Sequence, residues 1–265
     1  MVDYELICKK VCDLAKEAGA FLKGEVSKLS EADIETKGLH DFVTYVDKSS
    51  EKLIVAKLAE ILPSAGFIVE EKTSINKADI YNWIVDPLDG TTNYIHGLPC
   101  YSVSIALMKE QKIVLGVVYE INLDECFYAW ENSAAFLNGK EIKVSEKKSV
   151  SDALLATGFP YTDYSKLGSY MKLFTYFLKN SHGIRRLGSA AVDLAYVACG
   201  RFEGFFESGL KSWDVAAGSF IVQQAGGKVF DFNGGDEFLF GQHIIASNNA
   251  LADEFVGVIK DLYHE

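Results

Sequence analysis

Acidic side chains recur at four places where an apolar run gives way to polar sequence. They are Glu70-Glu71 behind Gly66–Val69, Asp86 and Asp89 behind Trp83-Ile84-Val85, Glu207 behind Phe206, and Asp214 at the head of an apolar helical stretch. The ends of buried strands are where layered folds carry their sites. Carboxylates gathered within a few ångströms repel one another, so they take up protons or bind cations. A ligand set made of oxygen alone, with no histidine or cysteine beside it, selects hard ions, and magnesium is the natural guest.

The stretch Val85-Asp-Pro-Leu-Asp-Gly-Thr-Thr-Asn-Tyr94 concentrates this chemistry. Pro87 fixes φ and has no N–H to satisfy, so the chain leaves the sheet after Asp86 and aims Asp86, the Leu88 carbonyl and Asp89 at one point. Gly90 permits close backbone approach, and the N–H groups of Thr91 and Thr92 at the start of a helical turn form a pocket for a phosphate oxygen. Either threonine hydroxyl can orient a water. Taken singly, Asp-Pro and Asp-Gly are turn formers and Asp214 is a helix N-cap. The joint order of acid, then Asp-Pro-x-Asp-Gly-Thr-Thr, then Trp213-Asp214 before Ala-Ala-Gly, is much harder to obtain by chance. An Asp-x-Asp-Gly-Thr loop, as in haloacid dehalogenase phosphatases, uses its first aspartate as a covalent nucleophile. Here two residues, Pro87 and Leu88, separate the acids and turn the second away from its partner role, so the covalent route is rejected.

The elements that must position these residues follow from hydrophobic period. Apolar residues at Tyr4, Ile7, Val11, Leu14, Ala18 and Phe21 predict an opening amphipathic helix, and a second spans about 44–62, stopped by Pro63. Short buried strands are expected at 66–69 and 83–85, so that Asp86 sits where a strand stops. Longer runs at 101–108, 113–119 and 125–130 suit neighbouring strands of a mixed or antiparallel sheet, and Asn138-Gly139 marks a hairpin. Alternation returns after residue 150. Strands are expected near 154–157, 202–206 and 244–246, with helices at 167–178, 190–198, 214–225 and 250–263. The seam between a 1–148 subdomain carrying the aspartate loop and a 149–265 subdomain carrying Glu207 and Asp214 falls near 147–152, as a joint inside one layered body.

With 265 residues and 49% apolar content, the chain can bury a sizeable core. A net charge of −11 argues against direct nucleic-acid binding, and Lys147-Lys148 and Arg185-Arg186 are its main basic pairs. No stretch has the roughly 20 apolar residues of a membrane span, and no export signal is read at the start. Five scattered cysteines, an odd number, suit reduced thiols in a cytosol. Cys8 and Cys12, one helical turn apart, are read as core packing. His96 follows the aspartate loop closely but receives no role, nor do His40, His182, His243 and His264; Glu71 is read as a solvated neighbour.

Asp86-Pro-Leu-Asp-Gly-Thr-Thr-Asn-Tyr94, Trp213-Asp-Val-Ala-Ala-Gly218 and a glutamate, Glu70, at the expected distance before them resemble the two signatures of the inositol monophosphatase family. Arg185–Arg201 is similar to bacterial members. Val69 stands where members often have glycine. The resemblance implies an α/β fold, a five-layer α-β-α-β-α sandwich of the sugar-phosphatase type, usually paired as a homodimer. By matching positions, it implies that Glu70, Asp86 and the Leu88 carbonyl hold one Mg2+, and that Asp86, Asp89 and Asp214 hold a second. A third, weaker ion is an option, and Mn2+ is a substitute. Gly90 and Thr91 would cradle phosphate, and Glu70 with Thr92 would activate water. Asp89, Glu207 and the Ala190 backbone would meet a small phosphorylated polyol or sugar, while Lys37 and Asp47 would lie on or near a mobile flap. The implied activity is hydrolysis of inositol monophosphate, with lithium sensitivity. The alternatives are fructose 1,6-bisphosphate, histidinol phosphate or adenosine 3',5'-bisphosphate as substrate. A binding factor in transcription or ribosome assembly, with phosphatase activity secondary, is the reading from another class. Asn93-Tyr94 favours the inositol branch over the nucleotide branch.

Overall fold

The computed structural model describes residues 2–29, 34–38, 41–74, 76–160 and 163–264. The three- and four-residue apolar spacing near the start gives α1 (Tyr4–Glu25), with Asp3 accepting the Leu6 N–H as its N-cap. A hairpin, β1 (Ile34–Gly38) and β2 (Asp41–Thr44), leads directly into α2 (Tyr45–Ile61). Thr44 caps α2, and Asp47, three residues on, reaches back to the Thr44 N–H.

There follow β3 (Gly66–Val69), β4 (Tyr81–Asp89), a single turn α3 (Thr91–Ile95), β5 (Ser102–Lys109), β6 (Lys112–Glu120), β7 (Glu125–Trp130), β8 (Ala135–Leu137) and β9 (Lys140–Ile142). These seven strands form one sheet in chain order, parallel between β3 and β4 and antiparallel beyond. Asn138 and Gly139, with φ of 48° and 83°, make the two-residue turn between β8 and β9 that their types predict.

The second half supplies β10 (Leu154–Thr157), α4 (Leu167–Asn180), β11 (Gly183–Arg185), α5 (Ala190–Ala198), β12 (Gly204–Ser208), α6 (Ser212–Gln224), β13 (Lys228–Phe230), β14 (His243–Ser247) and α7 (Ala252–His264). Its strands form a five-stranded sheet in the order β11-β10-β12-β14-β13, parallel around β10 and antiparallel around β14. Strands β1, β2, β11 and β13 escape a reading by period because their three to five residues mix charged and apolar types, without the continuous apolar run that marks β3 and β10.

Three apolar cores stack the elements into five layers, α-β-α-β-α. Helices α1 and α2 cover one face of the large sheet, around Leu22, Ile54, Trp83 and Val117. Helices α5 and α6 lie between the two sheets, around Leu194, Phe205, Ala217 and Ile221. Helices α4 and α7 close the far side, around Leu173, Phe177, Phe206 and Phe255. Among the described residues no helix is long and apolar enough to cross a membrane.

The middle layer is tight at small residues. A Cβ on Gly116 of β6 would lie 2.7 Å from the Ala217 carbonyl oxygen and 3.0 Å from its Cα, and one on Gly218 would lie 2.6 Å from Leu194 Cβ. The Ala-Ala-Gly run of α6 is therefore a packing device that seats the head of this helix, and Asp214 with it, against the large sheet. Backbone cannot yield as a side-chain end can, so Gly116→Ala is expected to cost about 1–3 kcal/mol. Thermal denaturation should show this as a midpoint lowered by roughly 3–10 °C. An unchanged midpoint would mean that β6 and α6 have slack between them.

Candidate metal centre and phosphate loop

Asp86 and Asp89 are three residues apart, so in an unbroken strand they would face opposite sides of the sheet. Strand β4 does not stop at Val85, as expected from the apolar run; it continues through both acids with a bulge between them. Asp86 pairs with Ser104 and Asp89 with Ser102, so three steps on β4 match two on β5. The extra residue re-aims the second acid to the side of the first. Pro87, lacking an N–H, sits where the ladder is broken and loses nothing by it. Inside the bulge the Leu88 N–H donates to Asp86 Oδ1 at 2.9 Å.

The third carboxylate arrives from the other half of the chain. Asp214, in the first turn of α6, accepts the Lys211 N–H at 2.7 Å. Ser104 of β5 donates its hydroxyl to the Trp213 carbonyl at 3.2 Å, tying that turn to the strand that carries Asp86's partner. As a result one ligand oxygen from each of Asp86, Asp89 and Asp214 lies within 4.8 Å of the others. Glu70 follows directly on β3. Its N–H reaches the Val85 carbonyl at 3.4 Å, and its carboxyl lies close enough to push that of Asp86 up. Four acids from three separate segments thus meet at the end of the parallel β3–β4 pair.

The turn after Asp89 is built for close approach. Gly90 adopts φ 98°, and a Cβ there would lie 3.1 Å from the Cys100 carbonyl oxygen and 3.2 Å from that of Gly188. Thr91 directs its hydroxyl at the Leu88 carbonyl (3.0 Å) and at Asp47 Oδ1 (3.2 Å). The Asn93 amide donates to the carbonyls of Cys100 and Leu187, both at 2.8 Å, and so pins the turn to the segment before α5. Ser189, the N-cap of α5, donates to Asp89 Oδ2 at 2.6 Å, and the Ala191 N–H donates to the same oxygen at 2.7 Å.

Protein groups alone leave this cluster short of positive charge. Burial, then the charges of Glu70, Asp89 and Asp214, push the Asp86 carboxyl well above the usual carboxylate range. Asp214 is pushed up to about 7 by burial and Asp89, against the opposing Lys211 N–H. Asp89 reaches only about 6, because the bonds from Ser189 and Ala191 offset part of its burial. At Asp214, burial among like charges thus outweighs the favourable effect of the helix terminus. Oxygen donors that near, and that costly to ionise together, fit a hard divalent cation.

Of the residues expected to contact a polyol, Glu207 on β12 is buried at 5% exposure, and its carboxyl is pushed up to about 8 by burial, against the opposing charge of Arg186. Gly158 presses on this carboxylate so closely that a Cβ there would collide with it. Ala190 opens α5 next to the Ala191 N–H that Asp89 has taken. Thr92 points outward and is exposed, as is His96. Asp47 lies just beyond the β1–β2 hairpin, buried in the first turn of α2 at 1% exposure. Lys37 belongs to β1, and its side chain lies outside the described residues.

Several contributors carry weak signals in the sequence. Ser189 before Ala190 is a legible N-cap, but nothing local shows that its hydroxyl serves Asp89. Ser104 and Asn93 sit in apolar or turn contexts without distinction. Asp193 in α5 is buried with no hydrogen-bond partner on either oxygen, and burial and then Glu207 drive its carboxyl up. The basic pair Arg185-Arg186 is split. Arg185 is exposed, while the charge of Arg186 opposes the shifts of Asp89, Asp193 and Glu207.

A family model described as the inositol monophosphatase family matches residues 3–263. An inositol-1-monophosphatase of Mesorhizobium japonicum is 36% identical over 247 residues, covering 93% of each chain. The Nus factor SuhB of Pseudomonas aeruginosa is 42% identical over 240 residues, 88% of each. Among solved structures, the extragenic suppressor protein suhB of Bartonella henselae superposes with a TM-score of 0.89 at 40% identity, covering 95% of this chain and 97% of that one.

Proposed function

The chain belongs to the inositol monophosphatase family, and from that premise we propose that it is a magnesium-dependent phosphomonoesterase that hydrolyses inositol monophosphate to inositol and phosphate. The observation that carries this reading is the meeting of Asp86, Asp89 and Asp214 within 4.8 Å beside the Gly90–Thr91 turn. Glu70, Asp86 and the Leu88 carbonyl would hold one ion, and Asp86, Asp89 and Asp214 another. Two or three bound cations would supply the positive charge that draws a phosphate into an acidic hollow and polarises its oxygens.

The chain's own groups would do the rest. The backbone at Gly90 and Thr91 would receive the phosphate. Thr91, by giving its single proton to Asp47 or to the Leu88 carbonyl, would keep a lone pair facing the cluster, where it can accept a hydrogen from the attacking water. On this reading the water-orienting role expected of Thr92, which is exposed, would fall to Thr91, and the contacts of the Thr91 hydroxyl with Asp47 and Leu88 support it. Glu70 would take the water's proton as the water oxygen bonds to phosphorus. The ester P–O bond would break in line, inverting the phosphate, and the inositol oxygen would leave and take a proton from solvent water. Asp89, Glu207 and the Ala190 backbone would meet the substrate's hydroxyls. A homodimer, a cytosolic setting and lithium sensitivity belong to the same proposal and rest on the family alone. A role in transcription, to which the relatives' name Nus factor points, is the second reading. It comes after the enzyme because the whole acidic cluster is in place.

A panel of inositol 1-phosphate, fructose 1,6-bisphosphate, histidinol phosphate and adenosine 3',5'-bisphosphate tests the reading. The highest kcat/KM is expected for inositol 1-phosphate with Mg2+, loss of turnover in chelator, and recovery with Mn2+. Preference for the adenosine bisphosphate would overturn the substrate assignment, and full turnover in chelator would overturn the metal assignment.

A further inference from the structure

One buried face of α2 touches both loops that carry Glu70, Asp86 and Asp89. Asp47, Ser50 and Glu51, at positions i, i+3 and i+4, share that face, and all three are buried. Asp47 accepts from Thr91, Ser50 donates its hydroxyl to the Pro87 carbonyl at 3.3 Å, and Glu51 reaches the loop that follows Glu70. There, Glu51 Oε2 accepts the Glu71 N–H at 2.7 Å and Oε1 accepts the Thr73 N–H at 2.8 Å.

The intervening Lys72 adopts φ 56°, a left-handed conformation that a lysine rarely takes. That kink turns the N–H groups on either side of it towards a single carboxylate, the arrangement by which a backbone nest holds an anion. Glu51 is fully buried, so its side chain serves neither solubility nor a surface ion pair. A glutamate inside an amphipathic helix needs a reason to be turned inward, and the two short N–H bonds supply it.

We propose that Glu51 is a positioning residue for Glu70: its carboxylate clamps the strained 71–73 loop and thereby sets where the Glu70 ligand stands relative to Asp86. The assignment rests on the metal reading given above. Loosening the support behind a ligand typically weakens metal binding by about 10–100-fold. Glutamine offers one acceptor where two are needed, and its amide would face an N–H donor.

The test is direct Mn2+ binding by calorimetry, with no substrate present. Glu51→Gln is expected to weaken Mn2+ binding roughly 10-fold or more, with Glu51→Asp between it and the parent. Ile54→Val, on the same buried side of α2 but away from the loop, should bind as the parent does. In the unsubstituted protein, the amides of Glu71 and Thr73 should exchange with solvent slowly, a readout that survives even if Glu51→Gln does not fold. A parent protein that binds no Mn2+ would sink the metal reading and this inference with it. Parent-like binding by a folded Glu51→Gln, or exchange of both amides at free-loop rates, would overturn the Glu51 assignment alone.

Discussion

Asp86→Asn is expected to lower kcat by about 10³-fold or more while raising the thermal midpoint measured in chelator by roughly 3–6 °C. Both effects come from the same crowding. Asp86 is placed to serve both proposed ions, and it is the most deeply buried of the three gathered aspartates, at 2% exposure. An amide carries no charge to hold a cation against its neighbours. The same amide suits the site's internal contacts well: its oxygen keeps the Leu88 N–H bond, and its NH2 offers two donors to the carboxylates of Glu70 and Asp214, which border Asp86. Removing one partner from a cluster of like charges relieves repulsion, which is the usual trade of stability against function at a site of this kind. A variant that is both inactive and less stable in chelator would show that Asp86 is a structural acid whose charge the fold needs. The variant also separates the two names borne by relatives: loss of turnover with an intact transcription phenotype would put the binding role first.

In chelator, the protein should lose stability as pH rises, with a thermal midpoint roughly 5–10 °C lower at pH 8.5 than at pH 5.5. The sign follows from carboxyls whose folded pKa is raised. Asp89 at about 6, Asp214 at about 7 and Glu207 at about 8 all stand above their ordinary values near 4, mainly because burial penalises the charged form. Between the unfolded and folded pKa the native state binds more protons than the unfolded chain. Its advantage is therefore complete below about pH 4 and is lost as pH climbs through 6 to 8. Excess Mg2+ should restore most of the loss at pH 8.5 and little at pH 5.5, where protons compete for the same oxygens. A chelated midpoint that is flat or rising across this range would mean that the acids are already compensated by protein groups.

Much of the fold was legible because its signals are local. Elements such as α1, β7 and α5 follow from apolar period, and Asn138-Gly139 declares its own turn. Short edge strands were hidden because a few residues that mix charged and apolar types look like any loop. The acids of the site were legible for another reason. Charged groups beside buried strand ends are costly, and Pro87 and Gly90 each impose a backbone restriction that few other residues meet.

The sequence by itself determined which carboxylates are available, that oxygen chemistry would govern them, and to which family their order points. Only the folded chain decided their convergence. A bulge turned Asp89 to the side of Asp86, the small residues of α6 let Asp214 come within reach, and a buried face of α2 came to lie behind both loops. The same folding moved Thr92 outward and Asp47 inward, which no local pattern foretold. The reason is physical: side-chain type and backbone preference are properties of a few neighbouring residues. The direction in which a side chain points, and the charge it meets there, depend on strand register and helix packing between segments more than a hundred residues apart.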